Sequence, residues 1–196
     1  MALFNKLDLL AKANQELIKK GFNSKAGAIL ESAANQFTES KTYDIFLSHS
    51  YSDEKLVLGI KRSMEELGYS IYIDWINDQQ MSRNQVTKET ANTLRKRMRQ
   101  CRSLLYAVST NSINSKWMPW ELGYFDGIKD KVAILPITDT AQATNTYQGQ
   151  EYLGLYSYIT KATVQGTNEM ALWVHDSQNV YVKFTQWLQG SMPRAR

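Results

Sequence analysis

Tyr43-Asp44-Ile45-Phe46-Leu47-Ser48-His49-Ser50 opens an alternation of apolar runs and amphipathic stretches, and its reading decides the fold. The unbroken apolar run Ile45-Phe46-Leu47 is the pattern of a strand buried on both faces, as strands are in a parallel sheet. Ser52 or Asp53 can cap a helix that runs to Leu67, where Gly68 is a natural stop. Ser70 to Asp74 reads as a second strand through Ile71, Tyr72 and Ile73. Arg83 to Gln100 reads as a long helix, and Ser103 to Ser109 as a third strand. A further helix runs from about Trp117 to Ile128. Pro119 is tolerated there because the amides of a first turn have no partners inside the helix. Lys131 to Ile137 is a fourth strand. Strands and helices in strict alternation predict an α/β fold, with a parallel sheet covered on both faces and joined by right-handed crossovers.

The regularity weakens on either side of this block. Asp139 to Gly149, rich in Thr, Gln, Asn and Ala, reads as a loop. Tyr156 to Thr163 and Met170 to His175 read as strands flanking a turn around Gly166. Gln178 to Leu188 reads as a last helix with Val182, Trp187 and Leu188 facing inward. Upstream, Leu3, Phe4, Leu7, Leu10, Leu17 and Ile18 recur at helical spacing until Gly21 interrupts them. Ser24 can cap a second helix carrying Ala26, Ile29, Leu30, Ala33 and Phe37. Two short helices bury little by themselves, so these stripes need a partner: the chain's own core, or a second copy. The expected organisation is a helical extension over residues 1–40, the main domain over 41–190 and a short tail over 191–196.

Composition narrows the function classes. The chain has 196 residues, a formal charge of +4, one cysteine and two histidines. A lone Cys101 excludes an internal disulfide framework, and with only His49 and His175 a zinc site is not expected. No apolar stretch is long enough to span a bilayer and the amino terminus lacks the features of a secretory signal, so the chain reads as cytoplasmic with no membrane partner. The basic run Leu94-Arg95-Lys96-Arg97-Met98-Arg99-Gln100-Cys101-Arg102 has Leu94, Met98 and Cys101 at the inward spacing. Its arginines then fall on a solvated face and no aromatics interleave them, so nucleic acid is not expected as a partner. Phosphate-loop and dinucleotide glycine signatures are absent as well.

The second distinctive run is Ser115-Lys116-Trp117-Met118-Pro119-Trp120-Glu121-Leu122-Gly123. Trp117 and Glu121 stand one helical turn apart on one face, offering an aromatic plane and a carboxylate to a ligand with a planar base joined to a sugar. Each has a plainer reading. A glutamate near a helix start also favours the helix dipole, by ~0.3–1 kcal/mol, and a tryptophan can serve as a core anchor.

Taken together, Tyr43 to His49 resembles the first box of Toll/interleukin-1 receptor (TIR) domains. Ser115 to Gly123 is similar to that family's later motif, in which a tryptophan precedes the functional glutamate by four residues. The resemblance covers roughly residues 41–188. It implies a flavodoxin-like sheet of about five strands in the order 2-1-3-4-5, with the ligand crevice beyond the strand carboxyl ends where the winding reverses. That point lies between the strand ending at Ser48 and the strand ending at Ser109.

The resemblance also implies cleavage of NAD between nicotinamide and ribose, giving ADP-ribose or a cyclic ADP-ribose-type signal in antiphage defence. The alternative is a non-catalytic module acting through TIR–TIR contacts. Glu121 is then the catalytic carboxylate, placed beside an oxocarbenium-like ribose. Trp117, Phe46, Ser48, His49 and Asp74 are the expected substrate contacts. NAD is substrate, no separate cofactor or metal is expected, and self-association is. Three departures from the family stand out. The loop Trp75 to Ser82 lacks the Arg-Asp and Pro-Gly features of receptor and adaptor members. Met118-Pro119-Trp120 replaces a cysteine-containing turn. Asp139 to Gly166 exceeds a minimal family domain, as a lid or as cover for the sheet edge.

Overall fold

The computed structural model describes residues 1–21, 24–35, 38, 40–73, 87–139, 146–149 and 151–196. The expectations for Phe37, for Asp74, for the 75–82 loop, for the start of the 83–100 helix and for most of the 139–149 loop lie outside these residues. In chain order the elements are β1 (Phe4–Asn5), α1 (Lys6–Lys20), α2 (Ala26–Asn35), β2 (Tyr43–Ser48), α3 (Glu54–Glu66), β3 (Ile71–Ile73) and α4 (Lys88–Arg99). They continue through β4 (Cys101–Val108), α5 (Met118–Lys129), β5 (Val132–Thr138), β6 (Tyr158–Thr163), β7 (Met170–Ser177), β8 (Val180–Lys183), α6 (Phe184–Leu188) and β9 (Arg194–Ala195).

The centre of the sheet is parallel, in the order β3-β2-β4-β5-β6. This is the 2-1-3-4-5 arrangement predicted for the five core strands. The sheet then continues through antiparallel β7, β8 and β9. β8 and α6 replace the single helix expected over Gln178 to Leu188. Val180 to Val182 alternate and pair with β7, Tyr181 opposite His175 and Val182 opposite Val174, which leaves only one helical stretch after them. Val182 and Trp187 are nonetheless buried, as expected.

Alternation along the central strands divides the core in two. Ile45, Leu47, Leu105, Leu135 and Ile159 face α1, α2 and α3, whereas Phe46, Leu104, Tyr106, Ile134 and Tyr158 face α4 and α5. The amino terminus joins this arrangement directly. Phe4 pairs in parallel with Ile137, and Ala2 and Lys161 exchange two backbone hydrogen bonds of 2.9 Å. Leu3 and Phe4 therefore belong to an extended segment that sends one side chain into each half of the core, where a helical stripe was expected. The two-residue strand is too short to show a period. The Asn5 carboxamide then accepts from the Leu7 amide at 2.8 Å and caps α1.

Of the two partners open to the amino-terminal stripes, the chain's own core is the one observed. Leu9, Ala13 and Leu30 are fully buried against it, while Leu7 and Ile18 stay exposed. α1 crosses α3 at Gly59, where an added Cβ would lie 2.1 Å from the Leu9 carbonyl oxygen. The two helix backbones touch, and only glycine permits that approach.

Gly59→Ala is expected to destabilise the protein by about 1–3 kcal/mol through overpacking. At roughly 2–4 °C per kcal/mol for a chain of this size, a thermal melt reads this as a clear fall in Tm. An unchanged Tm would show that α1 does not lie on Gly59.

Candidate active site

Glu121 enters the site from the first turn of α5. Trp117 precedes that helix with αR backbone angles, and its carbonyl accepts the Glu121 amide at 2.8 Å. Ser48, the last residue of β2, is fully buried, and its hydroxyl donates to Glu121 Oε2 at 2.6 Å. Glu121 itself is 7% exposed. A short hydroxyl–carboxylate bond inside the protein is among the stronger kinds. It joins the two sequence runs, 73 residues apart, at the point where the sheet reverses its winding.

The loops around that point are fastened to each other. The Asp53 carboxylate accepts from Ser109 Oγ at 2.5 Å and from Asn111 Nδ2 at 2.6 Å, so it ties the loop after β2 to the loop after β4. Asp53, one of the two residues read from the sequence as a cap, makes no side-chain capping bond to α3. Its oxygens are taken by the hydroxyl and amide of the facing loop. The clue available in sequence was a carboxylate soon after the first box and a polar stretch, Ser109 to Ser115, soon after the third strand.

The remaining predicted residues fall in different surroundings. His49 is buried, with Nδ1 donating to the Leu47 carbonyl at 2.9 Å. That bond places the proton on Nδ1, because a carbonyl can only accept. Phe46 is fully enclosed, its ring 5.6 Å from that of Tyr72. Trp117 is half-buried and meets Trp120 edge-on at 5.5 Å. Trp120 in turn stacks on Tyr124, and the Arg95 guanidinium lies over both rings. Part of the basic run is thus engaged in cation–π contacts on α5. Leu94, Met98 and Cys101 are buried as their spacing predicts. Burial pushes the Cys101 thiol up to about 12, which keeps it protonated and unreactive.

Tyr106 escaped the sequence reading. It sits opposite Ser48 in the β2–β4 register and is 3% exposed. Burial, then its neighbour Tyr152 and the charge of Glu121, hold its pKa above the usual tyrosine value. Among the described residues no cluster of three or more His, Cys, Asp or Glu could hold a metal, and no helix is long and apolar enough to cross a membrane.

A doubly covered parallel sheet, with a serine-held glutamate at its switch point, defines a TIR-type α/β domain. The TIR domain family model matches residues 45–166, and the chain belongs to that family. It is 50% identical over 192 residues to a Bacillus cereus (strain MSX-D12) protein named "Probable 3' cyclic ADP-D-ribose synthase ThsB'", a match covering 96% of this chain and 99% of the relative. TIR2 of Cytobacillus dafuensis, also named for cyclic ADP-D-ribose synthesis, is 31% identical over 110 residues, 56% of this chain and 29% of that longer protein.

Asp53→Ala removes the acceptor for two donors and leaves them unsatisfied, at a cost of about 1–3 kcal/mol. The expected outcome is a lowered Tm in thermal melts. Wild-type Tm would show that the link between the loops carries no stability.

Proposed function

We propose that this protein cleaves the nicotinamide–ribose bond of NAD and joins the freed ribose carbon to the adenosine half of the same molecule, giving nicotinamide and a cyclic ADP-ribose. The observation that carries this reading is the Ser48–Glu121 hydrogen bond at the switch point of the sheet. The near-full-length relative named for 3′ cyclic ADP-D-ribose synthesis supports the cyclic product over simple hydrolysis. Antiphage signalling is the biological setting that family analogy supplies.

The chemistry needs one well-placed carboxylate. Nicotinamide is cationic in NAD, so it leaves as a neutral molecule with the electron pair of the glycosidic bond, without a general acid. The positive charge that remains on the ribose is of the oxocarbenium kind stabilised in glycoside cleavage. Glu121 supplies fixed negative charge beside it, in a buried setting that makes the interaction stronger than in water. Ser48 fixes the carboxylate's orientation beforehand, so little reorganisation is needed when charge develops. Trp117, half-buried at the start of α5, presents a ring to the planar base. Self-association draws on what the core leaves uncovered on α1, the side chains of Leu7 and Ile18.

Glu121→Gln keeps the size of the side chain and removes its charge. Nicotinamide release, followed by chromatography, is expected to fall on the order of 10²-fold or more with the fold intact. Ser48→Ala removes one hydrogen bond to a charged group, worth about 1.5–3 kcal/mol, and should lower the rate roughly 10- to 100-fold. Wild-type turnover in a folded Glu121→Gln protein would overturn the assignment.

Trp117→Phe should retain much of the activity that Trp117→Ala loses, because stacking requires a planar face more than an indole N–H. Equal losses in both, accompanied by equal falls in Tm, would identify Trp117 as a structural residue of the Trp117–Trp120–Tyr124 ladder.

A further inference from the structure

Beside Tyr106 the structure holds a chamber of about 450 Å³, lined among others by Ser112, Ile113, Pro119, Tyr147, Glu151 and Tyr152. Its volume falls within the ~300–1,000 Å³ typical of small-molecule sites. Tyr106 lines this chamber and stands opposite Ser48, the residue bonded to Glu121, in the β2–β4 register, and Pro119 lies in the same helical turn as Glu121. The chamber therefore adjoins the reaction centre.

One wall is formed by Tyr147, Gln148, Glu151, Tyr152 and Leu153, which belong to the connection between β5 and β6 that the sequence shows to be longer than the family minimum. Three contacts involve the described residues of this connection. Tyr156 donates its hydroxyl to Asp126 Oδ2 on α5 at 3.0 Å. The Tyr147 ring lies 6.0 Å from that of Tyr158. Gly149 packs so closely on Gly154 that an added Cβ would lie 2.5 Å from the Gly154 amide nitrogen. Glu151, beside that contact, is held in the left-handed region at φ 49°.

The lining states what the chamber is built to receive. Three tyrosine rings offer planar faces, and the hydroxyls with Glu151 offer donors and acceptors, while among the described residues no lysine or arginine contributes to it. That chemistry disfavours a pyrophosphate and suits an uncharged nucleoside, its base against an aromatic ring and its hydroxyls against polar groups. NAD carries such a group at the end opposite nicotinamide.

We propose that this tyrosine-lined chamber receives the adenosine half of NAD, folding the dinucleotide back so that adenosine captures the ribosyl cation formed at Glu121. The proposal rests on the reading of Glu121 as the centre of NAD cleavage. Nicotinamide leaves with the electrons of the broken C–N bond. A hydroxyl oxygen of the adenosine ribose forms the new bond to the same carbon, and its proton passes by way of the Glu121 carboxylate to water. Tyr152 and Tyr147 are then specificity-determining residues: they decide how often the cation meets adenosine before it meets water. Holding the two reacting groups together in one site is the general means of favouring the intramolecular route.

The test compares Tyr152→Ala and Ile113→Trp with the wild type, incubated with NAD, with nicotinamide, cyclic and linear ADP-ribose each quantified. Tyr152 is 41% and Ile113 85% exposed, so neither change challenges folding, which a thermal melt verifies. The first removes a stacking face and the second fills the chamber mouth. Both variants are expected to go on releasing nicotinamide, at a raised KM for NAD, while the cyclic-to-linear ratio falls roughly fivefold or more. An unchanged ratio and KM in both, with nicotinamide still released, would overturn the chamber assignment and leave the cleavage reading standing. Failure of the wild type to release nicotinamide would overturn both.

Discussion

The bond from Ser48 to Glu121 depends on three independent pieces of chain geometry, and most of the site follows from them. β2 must end at Ser48 with its side chain on the α5 side of the sheet. α5 must begin at Met118, so that Glu121 falls in its first turn. β2 and β4 must lie side by side in the register that sets Ser48 against Tyr106. A slip of one residue in that register would turn Ser48 to the opposite face, because side chains alternate strictly along a strand. The continuous burial of β2 and β4 makes such a slip costly, so the hydrophobic pattern of the core also fixes the position of the carboxylate.

The same register extends well beyond the site. Ser48, Tyr106, Ile134, Tyr158, His175 and Tyr181 form one rank of opposed residues across β2, β4, β5, β6, β7 and β8. His175 stacks between Tyr158 and Tyr181, with ring centroids 5.1 Å from each. Its Nδ1 donates to the Ser177 carbonyl and its Nε2 accepts from Thr160 Oγ1. Burial lowers its pKa, so the ring stays neutral and holds β6 to β7. The antiparallel extension thus buttresses β6, which closes the wall behind Tyr147, and the amino-terminal segment does likewise for β5.

Much of this was legible in the sequence. The apolar run through Ile45-Phe46-Leu47 and the alternation after it carry the order of the five core strands, since long buried strands and amphipathic helices leave strong periodic signals. Ser48 and Glu121 were readable as site residues from two motifs, and the structure brings their side chains together. Other features leave no periodic trace. β1 has two residues and β8 four, so their pairing depends on partners far along the chain. Tyr106 sits inside an apolar strand, where a tyrosine reads as core, and only the strand register shows it opposite Ser48. Asp53 follows a loop and precedes a helix, so local chemistry suggests a cap, and only the fold discloses Ser109 and Asn111 as its partners.

A buried carboxylate held by Ser48 and a chamber of about 450 Å³ lined by three tyrosines lie near one another at the carboxyl end of the sheet. The proposed function turns on the nicotinamide–ribose bond of NAD, and mass spectrometry of the purified protein incubated with NAD addresses that bond most directly. The expected result is one nicotinamide released for each NAD consumed, together with a product lighter than ADP-ribose by one water. Intact NAD after prolonged incubation would contradict it.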